Sequence, residues 1–81
     1  MTFEPALKQL AFVLPNSFRN AELIFQKRFG QESYIHLNIP QSPRPRQTVS
    51  TQQLSSGLWH VILEWWEGNN HYWTEQDIMV S

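Results

Sequence analysis

The residues able to do chemistry in this 81-residue chain are few. Three histidines (His36, His60 and His71) and two methionines (Met1 and Met79) are donors that a copper ion accepts. There is no cysteine, so a Cys-rich zinc site and a disulfide are both excluded. Two of the histidines fall in "GLWHVILEWWEGNNHYW", residues 57–73, which also holds Trp59, Trp65, Trp66, Tyr72 and Trp73. What this run can do depends on how it folds.

Its composition predicts a β-hairpin. "LWHVILEWW" (58–66) is rich in β-branched and aromatic residues, "EGNN" (67–70) is a turn cluster, and "HYWTEQDIMV" (71–80) alternates. Gly68 at the first position of a two-residue loop suits a type II′ turn, which needs φ > 0 there. That loop fixes the register: Trp66 opposes His71, Trp65 opposes Tyr72, Leu63 opposes Thr74, Val61 opposes Gln76, and Trp59 opposes Ile78. Period-two alternation then sends Trp59, Val61, Leu63, Trp65, Tyr72, Ile78 and Val80 to one face, the expected core side. His60, Ile62, Glu64, Trp66, His71, Trp73, Glu75, Asp77 and Met79 share the other, mixed face.

The register weighs the copper reading. His60 and His71 lie six strand positions apart, about 20 Å at ~3.3 Å per residue, too far for one coordination sphere. His60 and Met79 are diagonal neighbours at about 7–8 Å, with Asp77 close by. They would form an incomplete metal site. The rival reading, a cross-strand pair between His60 and Asp77, fits the spacing better. For His71, stacking on Trp66 fits better than ligation.

Trp66 and Trp73 point outward and lie diagonally across the hairpin. Exposed rings mark a contact surface. Together with His71 they would form a platform for a carbohydrate, a peptide or a partner's apolar side chains. The rival is that a loop or the N-terminal segment covers at least one of them. No basic track accompanies the rings, and net charge is −1, which excludes nucleic acid as the expected partner. No serine sits in a Gly-x-Ser-x-Gly context, and three glycines do not make a phosphate loop. Glu64 and Glu75 read as solvated strand residues. The expectation is a protein without catalytic residues.

The elements that position these side chains must be economical. One domain, 1–81, is expected. A core this small leans on its aromatic residues, 14% of the chain. Trp59, Leu63, Trp65, Tyr72 and Ile78 are the expected core of the hairpin. Upstream, "LKQLAFVLP" (7–15) reads as a strand stopped by Pro15, with a helix through Phe3, Leu7, Leu10 and Leu14 as the rival. "NSFRN" (16–20) is a turn, and "AELIFQKRF" (21–29) is a strand ended by Gly30. "SYIHLNIP" (33–40) is a strand with Ile35, Leu37 and Ile39 inward. "QSPRPR" (41–46) is a connection, "QTVSTQQL" (47–54) a short strand, and "SSG" (55–57) a turn. Six to seven short strands with turns between them read as an all-β, immunoglobulin-like antiparallel β-sandwich. "LAFVL" is too short to cross a membrane and the start lacks the basic flank of a signal peptide, so the chain as given is expected to be soluble.

The same residues resemble the closing hairpin of the FixH family. That family ends with a Gly-x-Trp strand, a second aromatic in an "l-x-W" position, a Tyr, an acidic residue and an alternating exit strand. Gly57, Trp59, Leu63, Trp65, Tyr72, Glu75, Ile78 and Val80 match. The likeness runs loosely from about residue 8, through "LAFVLPNSF", "AELIFQKR" and "SYIHLNIP". Two features depart from the family. No N-terminal membrane anchor is present, so the chain would be the soluble portion of a longer protein or a free-standing relative. "KRFGQES" (27–33) stands where the family has an Arg-Pro-Ser-Asp-like turn. The resemblance implies an accessory protein for assembly or copper supply of a microaerobic haem-copper oxidase. It also implies a cation-pump partner, a membrane-protein contact, and a place outside the cytoplasmic membrane.

Overall fold

The computed structural model describes residues 1–15, 17–29 and 34–81. Among these residues there are seven strands, β1 (Thr2–Glu4), β2 (Gln9–Val13), β3 (Asn20–Lys27), β4 (Tyr34–Asn38), β5 (Arg46–Ser50), β6 (Gly57–Glu67) and β7 (Asn70–Val80). All pairings are antiparallel. One sheet has the order β1-β2-β5 and the other β4-β3-β6-β7. The first, second and fifth strands thus face the third, sixth and seventh, the order of strands A, B and E against C, F and G in immunoglobulin-type sandwiches. The fourth strand extends the second sheet beside β3. The protein is an all-β sandwich.

The two inner faces meet in one cluster. Leu10 and Phe12 from β2 pack with Ala21, Leu23 and Phe25 from β3, Trp59, Val61 and Leu63 from β6, and Ile78 from β7. Phe18, Ile39 and Leu54 close it from the connections. Burying side chains such as Trp59 and Phe25 stabilises the fold by roughly 1.5–3 kcal/mol each. Within the segment 7–15 the strand is β2, Gln9–Val13, held as the central strand of its sheet by a neighbour on each side. The helical signal of Pro5 survives only as a single 3-10 turn, Pro5–Leu7, closed by Lys8 at φ 51. β1, not anticipated, pairs Thr2 with Ala11 and Glu4 with Gln9. Gly30, Ser33 and Asn16, which the sequence reading placed at a strand end, a strand start and a turn, lie outside the described residues.

The hairpin has the expected register throughout, from Glu67–Asn70 to Gly57–Val80. Gly68 takes φ +58 while Asn69 does not go positive, as a type II′ turn demands. The hairpin strands are not short, however: each has 11 residues, against 5 in β2 and 5 in β5. At ~3.3 Å per residue the hairpin is about 36 Å long and its opposing strands about 17 Å. The molecule measures 38 × 24 × 16 Å, so the hairpin spans its long axis.

That mismatch corrects one expected core residue. Trp59, Leu63 and Ile78 are buried, and Trp65 is half-buried. Tyr72, expected beside them, is 43% exposed. It does face inward and stacks on Trp65 at 5.7 Å. It sits at the hairpin tip on an edge strand, where the smaller sheet no longer covers it.

Candidate functional site

The outer face of the β4-β3-β6-β7 sheet collects the polar and aromatic groups that the core rejects. Cross-strand register sets its rows: Asn38–Glu22–Glu64–Trp73, His36–Ile24–Ile62–Glu75, and Tyr34–Gln26–His60–Asp77. All three histidines of the chain are on this face. Each contacts a glutamate displaced diagonally by two residues, the reach expected of long side chains on a sheet. His36 Nε2 lies 3.0 Å from Glu22 Oε2, His60 Nε2 lies 2.6 Å from Glu75 Oε1, and His71 Nε2 lies 3.1 Å from Glu64 Oε2.

Near the hairpin tip the rings form a row. Trp66 and His71 stack at 4.5 Å with planes 9° apart, and His71 meets Trp73 at 5.5 Å, tilted 37°. His71 is therefore the spacer between the two indoles. Glu64 holds its Nε2 from the sheet side. Trp66 is half-buried and Trp73 is 61% exposed. The N-terminal strand does not cover them, because β1 belongs to the other sheet. The arrangement presents a ring face and ring edges to solvent with a carboxylate behind. It can stack against a flat or apolar group and accept a hydrogen bond beside it.

At the other end of the face lies an ion cluster. His60 is only 18% exposed, with Nδ1 at 2.8 Å from Asp77 Oδ1 and Nε2 at 2.6 Å from Glu75 Oε1. A neutral imidazole has one N–H and satisfies one of these contacts; the imidazolium donates to both. The bond to Asp77 first, then that to Glu75, holds the His60 pKa above its ordinary value of 6.5, against burial and the nearby Arg28. The same bond to His60 holds the Asp77 carboxyl below its ordinary range. Arg28 Nε approaches Asp77 at 3.6 Å.

Linkage gives these shifts opposite windows. The His60 contribution is fully present below the unfolded value of about 6.5 and is lost as pH rises through the raised folded value. The Asp77 contribution is present above about 3.9 and is lost as pH falls through the lowered folded value. Both act together from about pH 4 to 6.5. The stability advantage of the wild type over His60→Gln is therefore expected to be larger at about pH 5.5 than at about pH 8.5. Urea denaturation midpoints at the two pH values measure it, and an equal difference at both would contradict the cluster.

No protein-family model, curated protein or solved structure matches the chain.

Among the described residues, no group of three or more His, Asp and Glu side chains could hold a metal ion. Both ring nitrogens of His60 are engaged by carboxylates, in the cross-strand pair with Asp77 that the spacing favours over an incomplete site with Met79, and in a second contact with Glu75. Met79 is 62% exposed. The sequence reading placed Trp66, His71 and Trp73 together, and the structure brings them into one row. It missed Glu22, Glu75 and Arg28. The diagonal rule applied to the hairpin register would have found Glu75. Finding Glu22 and Arg28 needed the pairing of β3 with its neighbours, which no tight turn announces. Among the described residues, no helix is long and apolar enough to cross a membrane.

Proposed function

We propose that this is a non-catalytic interaction domain that meets its partner through the Trp66–His71–Trp73 row on the outer face of the hairpin. The observation that carries the reading is the exposure of Trp73 in a built stack, held from behind by the Glu64–His71 contact. A large indole left in water costs hydrophobic free energy that a partner would recover. The resemblance to FixH supplies the kind of partner: a membrane protein of an oxidase assembly or copper-supply system, met outside the cytoplasmic membrane. Copper handling by this chain itself has less support, since the histidines are separately paired with carboxylates.

A second reading is favoured by the same geometry. A ring face with a carboxylate beside it is the combination that a sugar uses, stacking its C–H face and donating a hydroxyl. An extended peptide is the other small ligand that a ring row accommodates.

The test compares Trp66→Ala and Trp73→Ala with Tyr34→Ala, an equally exposed ring on the far edge of the same sheet. Binding to the detergent-solubilised oxidase and cation pump is expected to fall by at least about tenfold for the two tryptophan variants, the loss of a hot-spot aromatic. Tyr34→Ala is expected to bind as the wild type does. Unchanged binding by both tryptophan variants would overturn the proposal. Oligosaccharide-induced shifts of the Trp66 and Trp73 indole signals would promote the second reading.

A further inference from the structure

Among the described residues the two sheets end in four edge strands, β1, β5, β4 and β7. Three are poor templates for another strand. β1 has 3 residues, β4 has 5, and β5 has 5 and follows Pro43 and Pro45. β7 is different. It runs 11 residues with no proline, glycine, lysine or arginine, and its register with β6 has no bulge. Those are devices by which natural sheets protect an edge, and the two charges β7 does carry, Glu75 and Asp77, are both engaged by His60. β7 also carries Tyr72, Trp73 and Met79 in the open.

The backbone groups on that edge can be named. The carbonyls of Trp66 and Leu58 accept bonds from Arg19 and Arg28, on the β3 side. Even-numbered residues of β6 therefore bond toward β3, and odd-numbered ones toward β7. Their partners Tyr72, Thr74, Gln76 and Ile78 are thus used within the hairpin. His71, Trp73, Glu75, Asp77 and Met79 turn their N–H and C=O groups to the open edge.

We infer that the occupant of this edge is a second copy of the chain, paired antiparallel through β7 about a two-fold axis at Thr74. Axes at Thr74, Glu75 and Gln76 leave the most of β7 paired, and charge selects among them. An axis at Glu75 sets that carboxylate against itself, and an axis at Gln76 sets Glu75 against Asp77. Either places like charges directly opposite, which is destabilising. An axis at Thr74 sets His71 opposite Asp77 of the second copy, Trp73 opposite Glu75, and Tyr72 opposite Gln76. The outward-bonding residues then face one another, as an antiparallel ladder needs. The contact is self-complementary, as a two-fold interface must be. It fuses two four-stranded sheets into one and sets two ring rows side by side.

Sedimentation equilibrium of the whole chain up to millimolar concentration tests this. The mass is expected to rise from 9.6 kDa toward twice that value. Thr74 is exposed and lies on the axis, so Thr74→Lys and Thr74→Glu each oppose like charges there. Each alone is expected to dimerise at least about tenfold more weakly. An equimolar mixture of the two is expected to recover dimer as the mixed pair. Amide cross-peaks between β6 and β7 confirm that each variant keeps its hairpin. A wild type that stays at 9.6 kDa overturns the inference, as do single variants that dimerise like the wild type or a mixture that stays monomeric.

Discussion

Trp59→Ala is expected to lose about 3–5 kcal/mol of stability, the usual cost of truncating a buried tryptophan. Trp59 is 1% exposed and packs in the cluster that joins the two sheets. Its indole N–H donates to the Ser55 carbonyl at 2.8 Å, and the Lys27 ammonium lies 5.7 Å from its ring. At roughly 0.05–0.15 kcal/mol per residue, a chain of this size has about 4–12 kcal/mol in total. The substitution therefore removes from about a quarter to all of it. Urea denaturation followed by circular dichroism measures the effect. Trp59→Phe, which keeps a ring but loses the bond to Ser55, is expected to cost clearly less. Trp73→Ala is expected to stay within about 0.5 kcal/mol of the wild type, as exposed substitutions do.

Gly57→Ala is expected to cost about 1–3 kcal/mol through backbone strain. Gly57 opens β6 at φ +135, a conformation closed to ordinary L side chains. A methyl there would also stand 3.1 Å from Lys27 Cε. Lys27 is not free to swing away at no cost, since its ammonium donates to Ser55 Oγ at 2.6 Å and rests near the Trp59 ring. The Gly-x-Trp pattern thus has a local physical cause: the glycine lets the chain turn into the strand under the lysine that covers the tryptophan two residues on. For a domain of this size each kcal/mol corresponds to about 4–8 °C in the thermal midpoint, which a melting curve resolves. A midpoint shift of less than 2 °C, roughly a quarter to half of a kcal/mol, would contradict the account.

The legible parts of this molecule are those governed by short-range rules. Gly68 fixed a two-residue loop, and from that one turn every pair of β6 and β7 follows. The inward assignment of Ile35, Leu37 and Ile39 rested on period-two alternation, and Ile39 is in the core with the other two packed against it. What failed depends on how far one sheet reaches over the other. Alternation gives Tyr72 the correct face but says nothing of the 5-residue strands opposite an 11-residue hairpin. β1 is invisible for a simpler reason: 3 residues carry no period. On the candidate site, Trp66, His71 and Trp73 were legible because one hairpin holds all three. The Glu22–His36 contact was not, because β3 and β4 are joined through a longer connection that sets no register in advance.

The function proposed here rests on a division of labour by face, Trp59 inward for stability and Trp73 outward for contact. The four indole N–H signals, recorded with and without a soluble gadolinium chelate, read that division directly. The account predicts strong broadening of Trp73, weaker broadening of Trp66, and an unaffected Trp59 signal. A Trp59 signal broadened as much as that of Trp73 would contradict it.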